Sequence, residues 1–309
     1  MAAFWSSGIA RLRTLLFVAG LIVSLPSVAA PVHLIFERDI DVSGQTDLFL
    51  ISYASQADFL SDTGFTQTAL PQSIAGNFSL GGFSVDPLGG WHLIFERDID
   101  VVGQTDLFLI SYASQADFLS DTGFTQTALP QSIAGNFSLG GFSVDPLGGW
   151  HLIFERDIDV VGQTDLFLIS YASQADFLSD TGFTQTALPQ SIAGNFSLGG
   201  FSVDPLGGWH LIFERDIDVV GQTDLFLISY ASQADFLSDT GFTQTAMPQS
   251  IAGNFSLGGF YIGVSAPPPN GVPEPGSMPL LALAVAMLWL FGRLPHRPIC
   301  RADSIGSST

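Results

Sequence analysis

The residues best placed to do chemistry in this chain are carboxylates. Asp39-Ile40-Asp41-Val42-Ser43-Gly44-Gln45-Thr46-Asp47 sets oxygen-bearing side chains at positions 1, 3, 5 and 9 of a short run, with glycine at position 6. Hard oxygen ligands a few residues apart, with a glycine where the chain turns sharply, are what a calcium loop requires. The pattern returns as Asp98, Asp100 and Asp106, as Asp157, Asp159 and Asp165, and as Asp216, Asp218 and Asp224. In these copies position 5 is Val102, Val161 or Val220, so only the first loop has the full side-chain set. Weak calcium binding is one expectation, and a hairpin with solvated aspartates is the other. No other cofactor is expected.

Other chemistry finds less purchase. His33, His92, His151 and His210 each open an apolar strand, three of them after a tryptophan, and read as structural. There is no HExxH, no GxSxG and no glycine-rich phosphate loop. Ser, His and Asp recur without a diagnostic spacing. Near-identical sites repeated along a chain suit multivalent binding better than one active centre, so an enzyme is not expected. Trp91, Trp150 and Trp209 offer a stacking platform for a glycan as a minor alternative to core packing.

These residues belong to one unit written four times with a period of 59 residues, at 33–91, 92–150, 151–209 and 210–260. The copies differ at two positions: Ser43 against valine, and Leu70, Leu129 and Leu188 against Met247. Such a period points to a propeller, solenoid or array. The near identity of the copies suggests a copy number that is not finely tuned. Within a unit, Leu34–Ile40 and Leu48–Tyr53 read as strands around a Ser-Gly-Gln or Val-Gly-Gln turn. Ser55-Gln56-Ala57-Asp58 fits a helix cap, with a helical turn through Leu60 and a stop at Gly64. Phe65–Leu70 and Phe78–Val85 read as further strands, interrupted by Pro71 and by Gly81-Gly82, and Asp86-Pro87-Leu88-Gly89-Gly90 is a strong turn.

About four strands per unit is the content of a propeller blade. Phe83 to Trp91, then His92 to Asp98 and Asp106 to Ile110, resemble the blade repeat of TolB-type β-propellers. The Asp-rich run is similar to the short calcium loops of FG-GAP-type propellers. The fold class is therefore all-β: tandem 59-residue β repeats forming a four-bladed propeller, with an open β-solenoid or paired β domains as alternatives. The first copy lacks its Phe-Ser-Val-Asp-Pro strand, and Phe260-Tyr261-Ile262-Gly263-Val264 stands ready to complete that blade across the ring.

The body spans 30–264, and the ends read as addresses with one hydrophobic helix each. Arg11 and Arg13, the apolar stretch Thr14–Leu25 and the small residues to Ala29 make 1–29 a signal peptide. A proline-rich linker follows the repeats at 265–272. Val272-Pro273-Glu274-Pro275, the apolar run 278–292 and then Arg293, Arg297 and Arg301 resemble the PEP-CTERM sorting signal of Gram-negative bacteria over 272–301. The resemblance assigns 273–301 to that signal, with 278–292 as its transmembrane helix and 302–309 as a cytoplasmic tail. It implies that exosortase and the secretion machinery are partners, through Pro273, Glu274, Pro275, Arg293 and Arg297. It also implies anchoring in the inner membrane before sorting, then release to the cell surface or extracellular matrix, in contact with exopolysaccharide or another surface polymer. At 15 residues the run is short against the roughly 20 of an ordinary span, and the basic side should stay cytoplasmic.

Charge agrees with this division. The sequence has no lysine, and over 30–275 it carries 28 acids against four arginines, a net of −24. Phosphate backbones are bound through lysine and arginine, so nucleic acid is excluded as a partner. Cys300 is the only cysteine, which rules out a disulfide framework. The reading is of an exported, exosortase-sorted repeat protein with a structural or adhesive role. The alternative is a propeller-type binding module for glycan, protein or calcium.

Overall fold

A computed structural model describes residues 30–39, 46–72, 78–98, 105–131, 137–157, 164–190, 196–216, 223–248 and 255–263. The segments read from the sequence as signal peptide, linker and sorting signal, with Pro273, Glu274, Pro275, Arg293 and Arg297 and the two hydrophobic helices expected at the termini, lie outside the described residues.

The first unit gives β1 (Val32–Asp39), β2 (Thr46–Tyr53), α1 (Gln56–Ser61), β3 (Thr66–Ala69) and β4 (Phe78–Val85). The second repeats it as β5 (Trp91–Asp98), β6 (Thr105–Tyr112), α2 (Gln115–Ser120), β7 (Thr125–Ala128) and β8 (Phe137–Val144). The third gives β9 (Trp150–Asp157), β10 (Thr164–Tyr171), α3 (Gln174–Ser179), β11 (Thr184–Ala187) and β12 (Phe196–Val203). The last gives β13 (Trp209–Asp216), β14 (Thr223–Tyr230), α4 (Gln233–Ser238), β15 (Thr243–Ala246) and β16 (Phe255–Ile262).

These strands form four antiparallel four-stranded sheets, β16-β1-β2-β3, β4-β5-β6-β7, β8-β9-β10-β11 and β12-β13-β14-β15, arranged as a four-bladed β-propeller. The first blade is composite. Its inner strand, β16, comes from the far end of the chain and pairs with β1 from Val32↔Ile262 to Arg38↔Phe255. The closing strand is thus longer than Phe260–Val264 and begins at Phe255. Pairing the last strand with the first removes the two edges that an open array would expose.

The sequence GG in each inner strand is what lets the ring shut. Gly81-Gly82 does not interrupt β4; the strand runs through with a register shift between Leu80 and Gly82. A Cβ on Gly82 would sit 2.5 Å from the Cβ of Phe142 and 2.8 Å from its backbone nitrogen, so the next blade rests directly on glycine. The same contact recurs from Gly141 to Phe201, from Gly200 to Phe260 and from Gly259 back to Phe83, which completes the circle. A glycine inside a strand commonly marks such a close approach.

The cores lie between blades. Leu93 and Phe95 pack toward the first blade, with Ile35, Leu48 and Phe83, whereas Ile94 packs toward the third, with Leu139 and Phe142. Successive strand residues face opposite sides of the sheet, and here both sides are covered. The run Leu-Ile-Phe is therefore continuously apolar instead of alternating. A carboxylate fastens each junction: Leu80 N–H donates to Glu37 Oε2 at 2.6 Å, and Leu139, Leu198 and Leu257 do the same to Glu96, Glu155 and Glu214. β4, β8, β12 and β16 are each the edge strand of their sheet, so backbone N–H groups on their outer side are left for the neighbouring blade.

Candidate functional site

Register places one end of every blade in a common row: Val85 opposite Trp91 and Trp91 opposite Tyr112, with Val144, Trp150 and Tyr171 as one copy of it. Arg97 sits at the other end, opposite Phe78 and Asp106. The helices and the Asp-Pro-Leu-Gly-Gly turns follow the first end, and together they build one axial face.

Each turn is locked by its own aspartate. Asp86 Oδ1 accepts the N–H groups of Leu88 and Gly90, both at 2.8 Å, and Gly89 takes a φ of 90°. Asp86 Oδ2 lies 3.1 Å from His92 Nε2, and His92 Nδ1 lies 2.9 Å from Ser111 Oγ. Burial opposes ionisation of Asp86. Hydrogen bonds from His92 and Gly90, the His92 charge and the Leu88 N–H outweigh it and hold the carboxyl below its ordinary value. A carboxylate only accepts, so Nε2–H is the donor. Asp145, His151 and Ser170 repeat the arrangement, as do Asp204, His210 and Ser229. Sequence spacing did not reveal these Asp–His–Ser chains, because their members stand on a turn and two different strands.

Blade one departs from the pattern. His33 Nδ1 meets Ser52 Oγ at 2.8 Å, but Ala30 and Pro31 precede its strand in place of an Asp-Pro turn. Burial alone pulls His33 down to about 4. Tyr261 replaces the serine found at Ser84, Ser143 and Ser202, whose hydroxyls accept the N–H of Val144, Val203 and Ile262 in the next blade.

Concavities formed by described residues open on this face. At the axis, Val85, Val144, Val203, Ile262, Pro87, Pro146, Pro205, Tyr261 and Asp145 line a largely apolar pit of about 190 Å³. Beside the turn of blade three, Asp145, His151, Ser170, Tyr171 and Thr184 line a cleft of about 310 Å³, and Leu147 stands over it. Leu88, Leu147 and Leu206, the tips of the three turns, are each 95 % exposed.

The sequence-derived sites fall as follows. The calcium loops lie outside the described residues: Asp41, Ser43, Asp100, Asp159 and Asp218 in full, and the side chains of Asp39, Asp47, Asp98, Asp106, Asp157, Asp165, Asp216 and Asp224. Among the described residues there is no group of three or more His, Cys, Asp or Glu that could hold a metal. Trp91, Trp150 and Trp209 are buried against Phe118, Phe177 and Phe236 at 4.8 Å between ring centroids, so they cannot serve as a glycan platform. The four repeat histidines stand second in β1, β5, β9 and β13, interior strands of their sheets, and three of them are tied to turn carboxylates.

The fold and this face define the molecule as a β-propeller with a decorated axial surface. In comparisons with known proteins, no family model and no curated protein matches the chain.

Proposed function

We infer that the chain is a non-enzymatic repeat protein, exported and sorted by an exosortase to the cell surface or extracellular matrix. There its propeller acts as a rigid structural or adhesive head. The observation that carries the head's role is the axial face, where three equivalent turns present the same exposed leucine around one pit. Repetition of a small contact in fixed geometry favours multivalent attachment. Delivery is supported by the n-region, apolar stretch and small residues of 1–29 and by the Pro273-Glu274-Pro275 motif with its apolar run and arginines. Contact with a surface polymer belongs to the same proposal.

Fractionation with intact-mass measurement of the mature chain tests it. The expected product lacks 1–29 and ends near Pro273, in the surface or extracellular fraction. A chain retaining Cys300 to Thr309 in that fraction removes the sorting step, and a chain confined to the cytoplasm removes the export reading altogether. Binding of calcium by the Asp39 loop and its copies is the second reading, on the strength of the ligand spacing. Calorimetry decides it: no calcium heat and no calcium-dependent shift in melting would eliminate that site.

A further inference from the structure

The axial face combines a largely apolar centre with an excess of acidic side chains. The pit is walled by four aliphatic residues, three prolines, Tyr261 and Asp145, and the leucine that follows each of those prolines in sequence, Leu88, Leu147 and Leu206, keeps 95 % of its surface exposed. Exposed apolar groups that converge on one concavity mark an interaction surface far better than scattered ones do. The charge on this face is acidic, beginning with Asp145 at the wall of the pit. The turn aspartates Asp86, Asp145 and Asp204 are held ionised at neutral pH. Each helix adds an aspartate in its first turn and one at its C-cap, Asp117 and Asp121 in the second blade. No lysine exists to balance them, and the arginines at 38, 97, 156 and 215 occupy the opposite ends of the strands.

That charge selects among occupants. A second copy docking face to face would set these carboxylates against their own equivalents, and an anionic lipid surface would be repelled in the same way. We propose that the axial face is a docking surface for a partner protein that inserts an apolar side chain from a lysine- or arginine-rich segment into the pit. The leucine tips close around the apolar group while the basic neighbours reach the ring of aspartates, and such complementarity sets both specificity and encounter rate. This inference is independent of how the chain is sorted.

The test uses the purified full chain and a fluorescein-labelled peptide with one leucine between two pairs of lysines, read by anisotropy. The expected result is binding about tenfold or more tighter than that of the same peptide with glycine for leucine, weakening as salt is raised. The triple variant Leu88→Ser, Leu147→Ser, Leu206→Ser should lose that tenfold preference, and Leu147→Ser alone should lose part of it. These residues touch little, so unchanged melting curves will show that the variants remain folded. Absence of binding, equal binding of the glycine peptide, or a triple variant that keeps the preference would overturn the proposal. So would concentration-dependent self-association, or adsorption to phosphatidylcholine vesicles, that the triple variant abolishes, since either result names a different occupant.

Discussion

His33 and its three copies show how one residue changes character with its neighbours. His92, His151 and His210 each face a turn carboxylate, at 3.0 to 3.1 Å. His33 is buried against Trp91 and Tyr261 and is held at about 4. An unfolded histidine titrates near 6.5. Between those values the unfolded chain binds a proton that the folded chain refuses, so stability falls as pH drops from about 6.5 toward 4. The full effect is on the order of 3 kcal/mol at 1.36 kcal/mol per unit. Urea denaturation at pH 7 and pH 4.5 should show a loss in the native protein that His33→Gln, which retains a partner for Ser52, largely removes. The turn aspartates act in a lower window. Their depressed values give stability that is present above the ordinary carboxylate range and disappears as pH falls below it. At neutral pH, Asp145→Ala should cost about 1–3 kcal/mol, because it orphans two backbone donors and His151. Leu147→Ala, two residues away and 95 % exposed, should stay within about 0.5 kcal/mol. Parallel chemical melts of the two variants check both figures, and similar losses would mean that the turn is not held by its aspartate.

At the level of elements, local grammar was readable and encounters between blades were not. Ser55 caps α1 as its spacing with Asp58 indicated, with Asp58 N–H donating to Ser55 Oγ at 3.0 Å. The stop came earlier than Gly64, because Asp62 itself takes a left-handed φ of 50° and its N–H returns to the helix. Its carboxylate, accepting the Tyr53 hydroxyl at 2.7 Å, accompanies that conformation. The missing strand of blade one was legible because a repeat exposes its own gaps. The meaning of Gly81-Gly82 was not. Taken within one strand, paired glycines signal a break, and only the neighbouring blade shows that they are contact surface. Nor could the Glu37 clamp be foreseen, since its acceptor role depends on a backbone donor on the edge strand of another blade. The Asp–His–Ser chains were hidden for the same reason. Gly141→Ala tests the contact: its Cβ would lie 2.6 Å from Phe201 Cβ and 2.9 Å from Phe201 N. Backbone cannot rotate away as a side chain can, so the cost should reach or exceed the 1–3 kcal/mol usual for overpacking. Gly89→Ala is the informative comparison, because nothing lies within 4 Å there and only its φ of 90° opposes the change. Thermal melts that rank Gly89→Ala as the more damaging would remove close blade packing as the reason for the glycine pair.

For the whole molecule, the consequence of closure is that number matters. Near-identical units suggest an array that could gain or lose copies freely, and in an open solenoid stability is roughly a sum over repeats and their interfaces. A ring is different. The glycine-on-phenylalanine contacts run from Gly82 through Gly141 and Gly200 to Gly259 and return to Phe83, and four Glu-to-backbone bonds follow the same circuit. Deleting 92–150 joins Trp91 to His151 and leaves every pairing within the remaining sheets possible. Every junction type survives as well, so nothing local is lost. What changes is the angle each junction must span, since three blades have to cover a turn that four were shaped to share. An open array would answer with a smaller, still cooperative monomer whose dependence on urea falls in proportion to the surface removed. The ring should instead fail to bring β16 onto β1, leaving two unpaired strand edges and the Leu80–Phe83 surface exposed, and the chain should associate. Light scattering coupled to size exclusion distinguishes the outcomes. A monodisperse, cooperatively unfolding monomer of the deletion variant would mean that closure contributes little, and that the blades are held by their nearest neighbours alone.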